Sequence, residues 1–152
     1  MKLVQAMKIV QRGCIFCSAG GSGDFASPAA SACGEYSIRQ QLLEGLSYFH
    51  TKKTGNRFIA YFQSYTNTYA PTGRLRSLYT EALEEPDVVG ISIATRPDCL
   101  GDDVIALLSS LKDSYPDKFI WVELGLQTMH EETARFIRRG YPLSTFEEAL
   151  NR

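Results

Sequence analysis

Apolar positions along this chain switch repeatedly between helical and extended spacing. Ile38, Leu42, Leu43, Leu46 and Phe49 recur at the helical period behind Ser37, a residue suited to an N-cap, and Gly55 follows the end of that helix. Phe58 to Phe62 is a short apolar run of the kind a buried strand carries. Leu75, Leu78, Tyr79, Ala82 and Leu83 predict a second helix, stopped before Pro86, and Val88 to Ile93 predicts a second strand. Asp102 or Asp103 can cap a third helix through Val104, Ile105, Leu107, Leu108 and Leu111, with Pro116 marking its exit, and Phe119 to Leu124 is a third strand. A short helix over Thr133 to Arg138 is expected to end near Gly140, and Ser144-Thr145-Phe146-Glu147 reads as a capping box for one more helix. No tandem repeat, low-complexity tract or linker interrupts this alternation.

Strands separated by helices imply parallel strands joined by right-handed crossovers, and so an α/β sheet covered by helices. Gln63 to Asn67, then Thr95, Arg96 and Asp98, then Gln127 and Thr128 each follow the carboxyl end of a strand. That is the edge at which open α/β sheets and barrels bind ligands. With 152 residues, 44% hydrophobic and 11% aromatic, the chain can bury one sizeable core and is the size of one domain. A formal charge of −1, from 16 basic and 17 acidic residues, lacks the basic field that holds nucleic acid through its phosphates. No apolar run could span a bilayer and Met1 to Val10 lacks a signal-peptide core, so no membrane partner is expected. The four cysteines, Cys14, Cys17, Cys33 and Cys99, would be a thin disulfide framework, which favours a reducing, cytoplasmic setting.

Cys14-Ile15-Phe16-Cys17, running into the small residues Ser18 to Phe25, points to a metal site. Two thiolates three positions apart can reach one zinc ion or two irons of one cluster, and the glycines let backbone pass close to a bulky ligand. The same pair also fits a thioredoxin-like redox site or half a zinc ribbon. Cys99 reads as a packed residue at a strand end and Cys33 as a bystander. Glu123 sits within an apolar strand, where a buried carboxylate needs a partner; an ion pair with Arg96 or a cofactor or substrate contact would supply one. His50 and His130 lack ligand spacing to the cysteines, and Arg135, Arg138 and Arg139 read as a solvated helix face. Tyr65 and Tyr69 can stack on a substrate or close their loop over the core.

Four ordered blocks carry a family resemblance: Gly13 to Cys17 with Ser22-Gly23-Asp24-Phe25, Ala60 to Pro71, Pro86 to Leu100, and Trp121 to Thr128. Together they resemble the radical S-adenosylmethionine superfamily, and within it the YhcC-type branch related to the Elongator catalytic subunit. The resemblance runs from about Gly13 to the end of the chain. It implies a partial (βα) barrel with parallel strands and helical crossovers, incomplete at both ends. It also implies a four-iron four-sulfur cluster held by three cysteines, with the remaining iron left for S-adenosylmethionine. Reductive cleavage of that cofactor releases methionine and a 5′-deoxyadenosyl radical, which takes hydrogen from a substrate. In this picture Cys14 and Cys17 are metal ligands and Phe16 is the aromatic beside the cofactor. Gln63 to Asn67 replaces the glycine-rich turn that receives the methionyl amine, with Gln63 and Asn67 as candidate contacts. Gln127 and Arg139 match cofactor-contacting positions of the related oxygen-independent coproporphyrinogen oxidases, where Arg139 would pair with a carboxylate as a planar fork.

The resemblance also leaves departures. The family's first cluster cysteine should precede Cys14, but Lys2 to Lys8 contains none, and Ala94 stands where some relatives carry an acidic cofactor contact. The chain is therefore expected to be a single fragment over 1–152, with a cluster loop at 13–27 and βα units over 37–152, lacking a first strand and stopping at Arg152 inside a helix. The expected partners are S-adenosylmethionine, an electron donor and an unidentified substrate, for which tRNA enters only by family analogy. The alternatives are a non-catalytic zinc or redox module on the Cys-x-x-Cys pair, or a degenerate fold acting through protein contacts.

Overall fold

The computed structural model describes residues 14–16, 30–31, 34–35, 37–47, 55–63 and 65–152. A short antiparallel pair, β1 (Ala30–Ser31) with β2 (Gly34–Glu35), precedes helix α1 (Ile38–Ser47). Then β3 (Phe58–Phe62), α2 (Thr72–Leu83), β4 (Val88–Thr95), α3 (Asp102–Ser114) and β5 (Phe119–Leu124) alternate, with a 3-10 turn over Pro97–Cys99. Strands β3, β4 and β5 lie in chain order and pair in parallel. Helices α4 (Glu131–Phe136) and α5 (Leu143–Leu150) follow β5. The expected α/β architecture of parallel strands and helical crossovers is what the chain forms.

Side-chain alternation divides the sheet into two faces. Ala60, Ile91 and Ile93 are buried with Leu75, Leu78, Tyr79, Leu83, Leu107, Leu108 and Leu111 of α2 and α3. Fully burying each such aliphatic side chain contributes about 1.5–3 kcal/mol. A one-residue slip of β4 would exchange Ile91 and Ile93 for Ser92, so the register is strongly specified. The opposite face carries Ile59, Tyr61, Ser92, Trp121 and Glu123, where the register sets Tyr61 beside Ser92 and Ser92 beside Trp121. Gly90 is required on this face: a Cβ there would lie 2.5 Å from the Phe119 carbonyl oxygen and 2.6 Å from its ring.

The ends of the helices show which caps are local. Ser37 caps α1 as expected, with Gln40 N–H donating to Ser37 Oγ at 3.1 Å and Ser37 N–H to Gln40 Oε1 at 2.9 Å, a reciprocal box. Phe49, expected in the last turn of this helix, lies outside the described residues, as does His50. The N-cap of α3 is Gly101, and Asp102 and Asp103 fall in its first turn, where carboxylates favour the positive end of the helix dipole. The helix expected over Thr133 to Arg138 begins earlier, at Glu131 behind His130, and ends at Phe136. The capping box expected at Ser144 does not form. Helix α5 starts two residues sooner behind Pro142, and the N–H of Leu143 donates to Glu131 Oε1 at 2.9 Å, so its cap comes from α4. Helix α5 closes at Leu150, with Asn151 as C-cap, instead of running through Arg152, whose Nη1 reaches back to Leu100 O at 2.8 Å.

Candidate functional site

The loop after β3 is built by buried polar residues. Gln63 is half-buried at the first position beyond the strand, and Tyr65 takes up a left-handed backbone at φ 62°. Asn67 is buried; its Nδ2 donates to Phe62 O at 2.8 Å and to Ala94 O at 2.9 Å, and its own N–H also donates to Ala94 O. Both amide hydrogens thus tie the loop to the ends of β3 and β4. Tyr79, wholly buried in α2, holds the same segment by donating its hydroxyl to Asn67 O at 2.7 Å, and burial keeps that phenol protonated. Thr68 Oγ1 lies 2.6 Å from both Thr95 Oγ1 and Cys99 O, while Gly125 N–H donates to Thr95 O. One chain of bonds therefore links the carboxyl ends of all three parallel strands.

The loop after β5 is organised by Arg139. Its sequence neighbours suggested a solvated face, yet it is 1% exposed. Nε donates to Tyr141 O at 2.9 Å, Nη1 to Thr128 O at 2.6 Å and Leu126 O at 3.5 Å, and Nη2 to Glu131 Oε1 at 2.9 Å. The carbonyls it holds flank Gln127, which is exposed and left-handed at φ 66°. The carboxylate that Arg139 meets in this structure is Glu131. The N–H of Leu143 and the Arg139 guanidinium hold the Glu131 carboxyl below its usual range. Tyr141 accepts two cations on its ring, Arg139 at 4.9 Å and Arg96 at 5.2 Å from the centroid, and Gly140 before it needs a left-handed φ of 87°. Arg96 is itself held as a fork by Asp98, at 2.9 and 2.6 Å.

The cysteine turn docks at this same place. Ile15 N–H donates to Ile137 O at 3.1 Å and Cys14 Sγ lies 3.8 Å from Arg138 O, beside Arg139. Phe16 projects from the turn at 59% exposure. Cys17, the loop from Ser18 to Phe25, and Cys33 lie outside the described residues. The donor chemistry at Cys14 fits a thiolate ligand at the sheet's carboxyl edge. Cys99, at the end of the 3-10 turn, is half-buried, and burial pushes its thiol up to about 11. Among the described residues no group of three or more His, Cys, Asp or Glu is arranged to hold a metal ion.

Glu123 departs from expectation. It is exposed rather than buried, and its partners are hydroxyls, not Arg96: Tyr61 Oη donates to Oε2 at 2.8 Å and Ser92 Oγ donates to Oε1. Not legible in the sequence are Glu131 as the partner of Arg139, Tyr141 as the ring that both guanidiniums approach, and the Tyr61–Ser92–Glu123 group. Helical spacing could not reveal the first two, since Glu131 and Arg139 meet across a chain reversal. Strand alternation could have placed Glu123 on the face of Trp121, but its pairing with Tyr61 needed the register.

A sequence model of the Radical SAM superfamily matches residues 11–152. The chain is 44% identical over 144 residues to the uncharacterized protein YtqA of Bacillus subtilis, which covers 95% of this chain and 42% of that protein. Protein YhcC of Escherichia coli K12 is 38% identical over 135 residues, 89% of this chain and 40% of its own. The uncharacterized protein MJ0486 of Methanocaldococcus jannaschii is 34% identical over 139 residues, 91% and 41% respectively. The chain thus spans about two fifths of the length of the curated relatives it matches. No helix among the described residues is long and apolar enough to cross a membrane.

Proposed function

The chain belongs to the radical SAM superfamily, and from that membership we propose that it is part of a cytoplasmic iron–sulfur enzyme that cleaves S-adenosylmethionine reductively to act on a substrate still to be identified. The observation that carries this reading is the docking of the Cys14 turn on the segment between α4 and Arg139, the same residue that braces the Gln127 loop. When bound, the four-iron four-sulfur cluster and S-adenosylmethionine supply one-electron chemistry and a 5′-deoxyadenosyl radical that removes hydrogen from substrate. Cys14 and Cys17 would provide thiolates to the cluster, and Phe16 would supply the aromatic side chain beside the cofactor. Gln127 offers an amide with both donor and acceptor at the β5 edge, and Gln63 offers a second at the β3 edge. Asn67 acts through its loop, since both Nδ2 hydrogens face backbone carbonyls. Arg139 likewise acts through the carbonyls it holds; pairing with the cofactor's carboxylate would require it to leave Glu131.

The test uses the full-length protein, reconstituted anaerobically with iron and sulfide and supplied with a reductant. It should release 5′-deoxyadenosine from S-adenosylmethionine. Cys14→Ala should abolish the cluster's visible absorbance, whereas Gln127→Ala should spare it and weaken S-adenosylmethionine binding about tenfold, the loss of roughly 1.4 kcal/mol of hydrogen bonding. A cluster-loaded, reduced protein that yields no 5′-deoxyadenosine, alone or with candidate substrates including tRNA, overturns the proposal.

A further inference from the structure

Glu123 stands on the face of the sheet that α2 and α3 do not cover, and one residue from each of the other two parallel strands turns onto it. Tyr61 of β3 donates to one carboxylate oxygen and Ser92 of β4 to the other. Ser92 is 3% exposed, so its hydroxyl is a fixed support for the carboxylate. The bond to Glu123 is also the main cause raising the Tyr61 phenol above its ordinary value, with burial and the carboxylate's charge adding to it. Tyr61 therefore stays a donor through neutral pH.

Two neutral donors orient this carboxylate without cancelling its charge. Each oxygen keeps further lone-pair capacity. No ion pair among the described residues reaches it; Arg96, the cation expected there, is held by Asp98. Two positions before it on the same face, Trp121 is 55% exposed, its ring leaning on Phe119 at a centroid distance of 4.5 Å. Tyr61 exposes about as much of itself on the other side, at 49%. An oriented carboxylate with no ion-pair partner among the described residues, bonded to one accessible aromatic side chain and sharing a strand face with another, complements a cation that carries N–H donors on an apolar body. The carboxylate provides charge-assisted hydrogen bonds and the rings provide their negative faces.

We propose that Glu123, Tyr61, Ser92 and Trp121 form a ligand subsite for a protonated nitrogen, an ammonium or guanidinium group on the substrate. Glu123 contacts the cation, Trp121 lines the apolar side, and Ser92 and Tyr61 position the carboxylate. That the ligand is the substrate of hydrogen abstraction rests on the radical SAM reading. The binding chemistry does not, and it can be measured with neither cluster nor S-adenosylmethionine present.

Trp121 is the sole tryptophan of the chain and reports on the subsite directly. Benzylammonium titrated into this chain near neutral pH should change Trp121 fluorescence saturably, while benzyl alcohol, its neutral counterpart, should not. Glu123→Gln keeps an acceptor for Tyr61 and Ser92 but removes the charge, and should weaken benzylammonium binding about tenfold. Tyr61→Phe should weaken it less, and Glu132→Gln, a charge removed elsewhere on the surface, should leave it unchanged. Absence of saturation in the wild type, equal response to benzyl alcohol, or undiminished binding by Glu123→Gln overturns the proposal. The comparison of amine with alcohol on the wild type remains decisive if the Gln variant does not fold. A positive result beside a full-length protein that makes no 5′-deoxyadenosine would remove the radical chemistry and leave the subsite.

Discussion

Tyr65, Gln127 and Arg138 are the non-glycine residues with positive φ among those described, and all three lie in loops at the carboxyl edge of the sheet or beside them. Such conformations cost about 1–3 kcal/mol each and persist where surrounding contacts hold them. For Gln127 the holding contact is Arg139, through Leu126 O and Thr128 O. Arg139→Ala would orphan buried carbonyls and should destabilise the fold by about 3 kcal/mol in urea denaturation. Arg139→Lys should recover only part of this, because a point charge cannot replace a planar fork. Glu131 gives a pH signature. Its carboxyl is depressed below its ordinary 4.5, first by Leu143 N–H and also by Arg139. A carboxyl depressed in the folded state contributes stability that is full above its unfolded pKa and lost as pH falls through the folded one. Glu131→Gln should therefore be less stable than wild type near neutral pH, and the two denaturation midpoints should converge on acidification through the carboxylate range.

Elements are joined here by contacts that local sequence does not contain. The box at Ser37 and Gln40 closes within one helical turn, whereas α5 is started by Glu131 from the preceding helix. Lys118, at the entry to β5, serves α2 in the same way, with Nζ donating to Leu83 O and Glu85 O. The strands depend on close approach: Gly90 pairs with Phe119, whose carbonyl and ring occupy the space a Cβ would need. Gly90→Ala should force β4 and β5 apart and cost about 1–3 kcal/mol, seen as a lower urea midpoint with an unchanged slope. An unaltered midpoint would show that Phe119 moves aside freely.

At the scale of the molecule, the parallel sheet has one face covered by helices and one face carrying Ile59, Tyr61 and Trp121 in exposed positions. The relatives extend well beyond the matched segment. In the proposed reading this chain would offer the Cys14 and Cys17 pair to a cluster. Two thiolates leave a cluster open to exchange and oxygen. Anaerobic loading of this chain with iron and sulfide should thus give substoichiometric iron and little visible absorbance. Full loading that disappears with Cys33→Ala would instead make Cys33 the third ligand.

The sequence by itself determined the alternation of elements, the parallel sense of the three strands, the Ser37 cap and the family. Each rests on short-range periodicity, on one residue's side chain, or on ordered motifs. Phe58–Phe62 and Phe119–Leu124 came out with the bounds read from their apolar runs, because strands so short leave no room for a competing period. Tertiary structure decided the rest. Arg139 looked like a solvated helix residue because its carbonyl and carboxylate partners come from Leu126, Thr128, Tyr141 and Glu131, which assemble around it only when the chain reverses after α4. Glu123 looked buried because its strand is apolar. Its exposure and its two hydroxyl partners depend on which face the helices cover and on the pairing register of β3, β4 and β5, and both are set by long-range packing that no local pattern records.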